Sequence, residues 1–334
     1  MSFSTETLLG VFSALTPYNN FNLNLLFPEV AMFDSEKIVF DELFPDQTLA
    51  PFVSPVLAGK ANTAEGGVQK SFVPPYVKPK DVIKPDRILK RRPGEPIGGN
   101  LSSEQRRNAI VVDIFDNQRQ KIINRKEWMA CQLITTGKIV VEGEDYPRVE
   151  IDFGRRENHT VTLVGDARWG QVDEDPNGDL EDWMNRLDAP CTHIEMGGEA
   201  FTQMMKNDEM KELVTSRRGS ETTLEMAPSA MKVTFRGRLG DGGPEIWTNT
   251  DWYIDDDGNK QFYIPQNSVN FVSTGASGVI AHGAILDKKA GYQPLEFFPK
   301  TWEMDDPSVE YAMTQSAPLP VLPLINSTLS AIVK

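Results

Sequence analysis

The densest set of metal-type ligands in the chain is DEDPNGDLEDWM, where Asp173, Asp175, Asn177, Gly178 and Glu181 fall at positions one, three, five, six and nine of a calcium loop. Position twelve, which needs a bidentate glutamate, is Met184, and Pro176 sits inside the loop. The stretch therefore reads as an acidic turn whose Asp179 caps a short helix carrying Trp183 and Leu187. The histidines, His159, His193 and His282, stand far apart, so neither a metal triad nor a Ser-His-Asp set is written locally. STGASG sets Ser277 among small residues without the G-x-S-x-G spacing of a nucleophile elbow, which leaves a hydrolase around Ser277 and His282 as the remotest reading. GRLGDGG has neither the glycine order of a dinucleotide fingerprint nor the Lys-Ser/Thr ending of a phosphate loop. No catalytic residue, metal site or cofactor is expected, and the protein is not expected to be an enzyme.

What the sequence does concentrate is positive charge. Lys70 to Arg92 holds eight basic residues against Asp81 and Asp86, a net of +6, in a chain whose total is −14; the remainder carries −20. Residues 142 to 188 hold fourteen acidic and five basic residues, a net of −9. A charged extended element on a body of opposite sign selects a partner of the other sign, which is nucleic acid, a membrane or another copy of the chain. Phe72 and Tyr76 are not interleaved with arginines as a base-stacking platform requires, and an acidic body repels phosphate. Self-association is the leading reading; a nucleic-acid-binding accessory protein using residues 70 to 92 is the alternative.

Composition is that of an ordinary globular protein: 334 residues, 40% hydrophobic and 25% charged. No apolar run reaches the roughly 18 residues of a membrane helix, and the C-terminal stretch is cut by Pro318, Pro320 and Pro323. The first basic residue is Lys37, so the charged start of a secretory signal is missing and a cytosolic protein is expected, with Cys131 and Cys191 as buried free thiols.

The elements that must position these residues follow in order. Residues 1 to 47 form an arm of scattered apolar clusters that cannot close a core alone, and residues 48 to 96 an extended excursion with turn glycines and prolines. Ser102 and Gln105 form a capping box and Gly137 a natural stop, which predicts a helix of 30 or more residues, roughly 45 to 50 Å long. Ile110, Ile114, Ile122, Met129 and Leu133 recur along it at helical spacing as its core face. A hairpin or meander follows from residue 138, then the helices DLEDWMNRL and EAFTQMMKNDEMKELVT, then short strands with Asp257-Gly258-Asn259 turning a hairpin. Val309, Tyr311 and Met313 alternate on one face of a strand returning to an earlier sheet. The chain is mixed α+β.

Several segments in this same order resemble one family: FVSPVLAGKANTAEGGVQKSFVPPYVKPK (52 to 80), RILKRR (87 to 92), RRGS (217 to 220), DKKAGYQPLEFFPKTW (287 to 302) and MTQSAPL (313 to 319). The chain resembles the lambda-type major capsid proteins of tailed phages, the phage capsid protein E family. The resemblance implies the fold of the phage Hong Kong 97 capsid subunit: N-terminal arm (1 to 47), extended loop (48 to 96), spine helix with peripheral sheet (97 to 178), axial α/β domain (179 to 285) and a return to the peripheral domain (286 to 334). It implies hexamers and pentamers in an icosahedral shell around double-stranded DNA held without sequence-specific contact. Small cementing proteins, a scaffold protein and a portal are the implied partners, with assembly in the host cytoplasm and residence in the virion. Lys78, Lys80, Arg87, Lys90, Arg91, Arg92, Arg217 and Arg218 are then the candidates for subunit contacts.

Overall fold

In a computed structural model, residues 8, 20–35, 37–42, 68–90, 101–143, 146–171, 174–215, 232–240, 242–306 and 309–334 are described. The longest element is the spine helix Ser103–Thr136, roughly 51 Å at 1.5 Å per residue. It begins where the Gln105 N–H donates to Ser102 Oγ (3.1 Å) and the Ser102 N–H donates to Gln105 Oε1 (2.9 Å). It ends where Gly137 takes φ +73°, a conformation that a side chain disfavours. The freed carbonyls of Ile134 and Thr135 accept from the Arg155 guanidinium at 2.6 and 2.7 Å.

Three sheets lean on this helix. Near its start lies an antiparallel sheet ordered Phe298–Met304, Val309–Gln315, Lys80–Ile83. Alternate residues of the middle strand, Glu310, Ala312 and Thr314, are buried, while Val309, Tyr311 and Met313 are partly exposed. The face expected from Val309, Tyr311 and Met313 is therefore the outer one. Ile83 and Ala312 pack with Ile110, Val111, Ile114 and Phe115 of the helix, and Leu8 joins the cluster. Two side chains lock sheet to helix: Arg107 donates to both carboxylate oxygens of buried Glu310 (2.8 and 2.7 Å), and Gln118 donates to Asp81 Oδ2 (2.7 Å) and the Ala312 carbonyl (3.0 Å).

Around the last third of the helix, Met129, Ala130, Leu133 and Ile134 pack with Leu26, Phe27, Ile139, Ile151, Phe153 and Leu319. Two antiparallel strand pairs meet there, Lys138–Gly143 with Tyr146–Asp152 and Ile38–Glu42 with Val68–Phe72. Their rings Phe40, Phe72 and Phe153 lie 5.6 to 5.9 Å apart. A second three-stranded sheet sets Glu29–Met32 parallel to Val279–His282, which pairs with Pro318–Val321 on its other side.

The third sheet has six strands in the order Thr160–Thr162, Thr328–Ile332, Ser268–Val272, His193–Gly197, Glu245–Asn249, Val233–Arg238. Period-two residues Ile194, Met196, Val269, Phe271, Leu329 and Ala331 face a core with Trp169, Leu180, Trp183, Ala200, Met204 and Met210. The helices behind that core are Pro176–Asn185, Gly198–Met204 and Asp208–Thr215.

Four expectations change in detail. Lys80–Ile83 belongs to the subunit's own peripheral sheet, so the extended excursion does not run unbroken to residue 96. The C-terminal segment does not stay peripheral: Thr328–Ile332 lies inside the axial sheet, hydrogen-bonded on both edges. EAFTQMMKNDEMKELVT is two short helices, broken between Met204 and Asp208, where Asn207 Oδ1 accepts from the Glu209 and Met210 N–H groups. The cap of the helix Pro176–Asn185 is Asp175, which accepts the Gly178 N–H at 2.9 Å, while Asp179 accepts from the Trp169 indole (2.9 Å).

Candidate assembly surface

The residues that could have carried catalysis are dispersed into the framework. His159 is buried with Nδ1 3.0 Å from the Thr328 carbonyl, and His193 lies 2.9 Å from Thr192 Oγ1. Buried His282 points Nε2 at the Lys126 ammonium, 3.3 Å away, and desolvation pushes its pKa down to about 2. Ser277 is exposed at the end of the single turn Thr274–Ala276 and has no hydrogen bond to His282. Asp173 lies outside the described residues, and among those residues no three acidic, histidine or cysteine side chains could hold a metal ion.

The basic candidates are instead held outward on a rooted segment. Val77 exchanges both backbone hydrogen bonds with Ser316 (2.9 and 3.0 Å), and the Tyr76 hydroxyl accepts the Leu286 N–H at 2.7 Å. From that base Lys78 Nζ sits 4.4 Å from the centre of the Tyr76 ring. Lys80 Nζ stands 4.1 Å from the Tyr311 ring and 5.3 Å from Trp302, two rings stacked 5.3 Å apart. Such contacts contribute about 0.5 to 1 kcal/mol each at exposed sites and fix where a charge points. Arg87 and Lys90 are exposed in and just after the one-turn helix Pro85–Leu89, where Lys90 pairs with Asp86 at 3.2 Å. Arg91, Arg92, Arg217 and Arg218 lie outside the described residues. Of the spine residues, Ile110, Ile114, Ile122, Met129 and Leu133 are all buried.

Beside Lys80 runs a groove of about 770 Å³ between the outer face of the spine helix and the hairpin Trp252–Ile254/Lys260–Phe262. Lys121, Arg125 and Trp128 enter it from one helix face at i, i+4, i+7 spacing, opposite Trp252 and half-exposed Ile254. Arg125 lies 5.1 Å from the Trp128 ring, and the Trp128 indole donates to the Tyr253 hydroxyl at 3.0 Å. Sequence reasoning missed this groove, although the spacing of Lys121, Arg125 and Trp128 on the polar side of the helix was its signal. Cations over an aromatic floor, with Asp256 beside Arg125 at 3.8 Å, have the arginine and aromatic make-up of a surface that can hold another chain.

The description "Phage major capsid protein E" belongs to the family model that matches residues 4–333. The chain belongs to that family. It is 30% identical to the major capsid protein of Enterobacteria phage P21 over 330 residues and 28% identical to that of Escherichia phage lambda over 329, each alignment covering 96% of both chains. A crystal structure described as a capsid protein of an E. coli CFT073 prophage is 27% identical, covers 100% of both chains and superposes with a TM-score of 0.79. The α+β architecture is thus the Hong Kong 97-type capsid fold, and the protein is a structural subunit of a phage head, working as many copies and not as an enzyme. Among the described residues no helix is long and apolar enough to cross a membrane.

Proposed function

We propose that this capsid protein builds hexamers and pentamers of an icosahedral shell around double-stranded DNA, assembling in the host cytoplasm with a scaffold, a portal and a small cementing protein. Lys78, Lys80, Arg87 and Lys90, with Arg91, Arg92, Arg217 and Arg218, contact neighbouring copies, and the acidic region 142 to 188 is the complementary surface. What supports this is the exposure of the described cations on a segment rooted in the peripheral sheet, with Lys80 held in place by two aromatic rings. Opposite charge steers copies together and sets their register. An acidic body also keeps packaged DNA from adhering to the inner wall.

Lys78, Lys80, Arg87 and Lys90 changed together to Glu take the 70–92 segment from +6 to −2. Electron microscopy and sedimentation are expected to find folded, soluble subunits without shells. High salt should partly restore assembly, because exposed charges are screened beyond about 8 Å at physiological ionic strength. Normal shells from this variant would refute the assignment of the contacts. Normal shells with lost DNA affinity would instead favour nucleic-acid binding by the segment.

A further inference from the structure

Where the helix Phe21–Leu26 meets the spine helix and the axial sheet, two carboxyl groups are buried together. Glu127, on the spine helix, accepts the Asn22 N–H on Oε1 and the Leu23 N–H on Oε2, each at 3.0 Å. It thus takes the place of the side-chain cap that Asn20 does not supply. Glu195, in the axial strand His193–Gly197, accepts on Oε1 from Asn22 Nδ2 (3.1 Å) and Asn249 Nδ2 (2.6 Å). Asn22 Nδ2 also lies 3.2 Å from Cys131 Sγ, so one amide joins arm, spine and sheet. Glu195 is fully buried and Glu127 nearly so, and among the described residues neither carboxyl has an ion-pair partner.

The hydrogen bonding of this cluster is incomplete in one sense only. Its two unpaired buried atoms, Asn22 Oδ1 and Glu195 Oε2, are both acceptors. The cluster is short of donors, and a proton on a carboxyl is the smallest donor that can be added. The other titratable groups facing it do not offset negative charge. Cys131, Asp251 and Tyr263 all have their pKa values raised, first by burial. The Tyr253 ring lies 5.2 Å from that of Tyr263, and the cation Lys232 acts on Asp251, lowering its carboxyl pKa in opposition to burial.

We propose that the Glu127–Glu195 pair is a proton-linked latch: it takes up a proton from water when the segment Phe21–Leu26 seats on the spine helix and returns it when the segment leaves. The direction follows from linkage. Burial raises the Glu127 carboxyl from its ordinary 4.5 to about 7, and raises Glu195 as well, while water reaching the cluster after the segment lifts returns both to ordinary values. A raised carboxyl favours the seated state below its unseated pKa, and that preference is lost as pH rises through the seated value. Seating is therefore tight near pH 5 and loosens toward pH 8. Release of the arm from the spine becomes an event that a rise of pH through neutrality favours.

Amide exchange of residues 21 to 27 in the full-length protein, corrected for intrinsic rate, tests this between pH 5 and 8. One carboxyl moving between 4.5 and about 7 changes the seating equilibrium by about 70-fold over that range. Protection should fall by that order in the wild type and become flat in Glu127→Gln combined with Glu195→Gln. A flat wild-type profile, or a double variant that keeps the wild-type slope, overturns the proposal. Should the double variant not fold, Cys191→Ser leaves Cys131, buried beneath Asn22, as the sole thiol. Its labelling rate per thiolate should climb as protection falls; a rate independent of pH overturns the latch.

Discussion

Replacing Gln118 by Leu removes the bond between the spine helix and the strand that roots the basic segment, with almost no change in volume. Gln118 is fully buried, and its amide is satisfied at both ends: Nε2 donates to Asp81 Oδ2 (2.7 Å) and the Ala312 carbonyl (3.0 Å), and Oε1 accepts from Thr314 Oγ1 (2.7 Å). Leucine leaves the buried Thr314 hydroxyl without its acceptor and the half-buried Asp81 carboxylate without its donor. An orphaned buried polar group costs about 1 to 3 kcal/mol, more when charged, so the loss should be about 3 to 5 kcal/mol. Urea unfolding of the purified subunit, followed by tryptophan fluorescence, measures it as a lower midpoint at unchanged slope. Thr314→Val alone should cost about 1 kcal/mol, and the Gln118→Leu, Thr314→Val pair less than the sum, because the hydroxyl that the leucine would strand is gone. A Gln118→Leu subunit within about 0.5 kcal/mol of wild type would show that Gln118 does not bind the strand to the spine.

Ile122 has no exposed surface, so Ile122→Asp places an unpaired carboxylate in apolar packing. It is expected to cost more than about 4 kcal/mol and to leave insoluble protein, which a solubility assay of the expressed chain checks. His282 is held neutral beside the Lys126 ammonium. Because its folded pKa lies below the unfolded value near 6.5, its contribution is complete above that pH and is lost as pH falls from 6.5 toward about 2, at up to about 1.4 kcal/mol per unit. His282→Gln should remove that acid-side slope from stability measured between pH 6.5 and 4; an unchanged slope would place the sensitivity elsewhere.

Local chemistry was legible and distant pairing was not. Ser102, Gln105 and Gly137 set the ends of the spine helix through bonds spanning three or four residues, and Asp257-Gly258-Asn259 sets a hairpin through a φ of +83° at Gly258. The register Asp81↔Ala312, by contrast, joins residues more than 200 positions apart, so nothing near KPKDVIKP shows that it is the edge of a sheet. Pro318 and Pro320 read as breakers but occupy alternate positions of an edge strand, where a missing N–H on the outward side costs no ladder bond. The basic candidates were visible as charge, whereas the rings that aim Lys80 come from residues 302 and 311. Glu127 and Glu195 carried a fainter sign: Glu127 opens the apolar run WMAC, and Glu195 stands between Ile194 and Met196. Their partner Asn22 lies in an arm that the sequence offered no means of placing.

The place of Thr328–Ile332 inside the axial sheet bears on synthesis. Its neighbours, Thr160–Thr162 and Ser268–Val272, must wait with open edges until the ribosome has delivered residues 328 to 332, because this strand joins them. A partly made chain can form its spine helix, whose contacts are local, but not a finished axial domain. Closure of the axial sheet is thus a late event, which follows the delivery of residues 328 to 332 and cannot precede it.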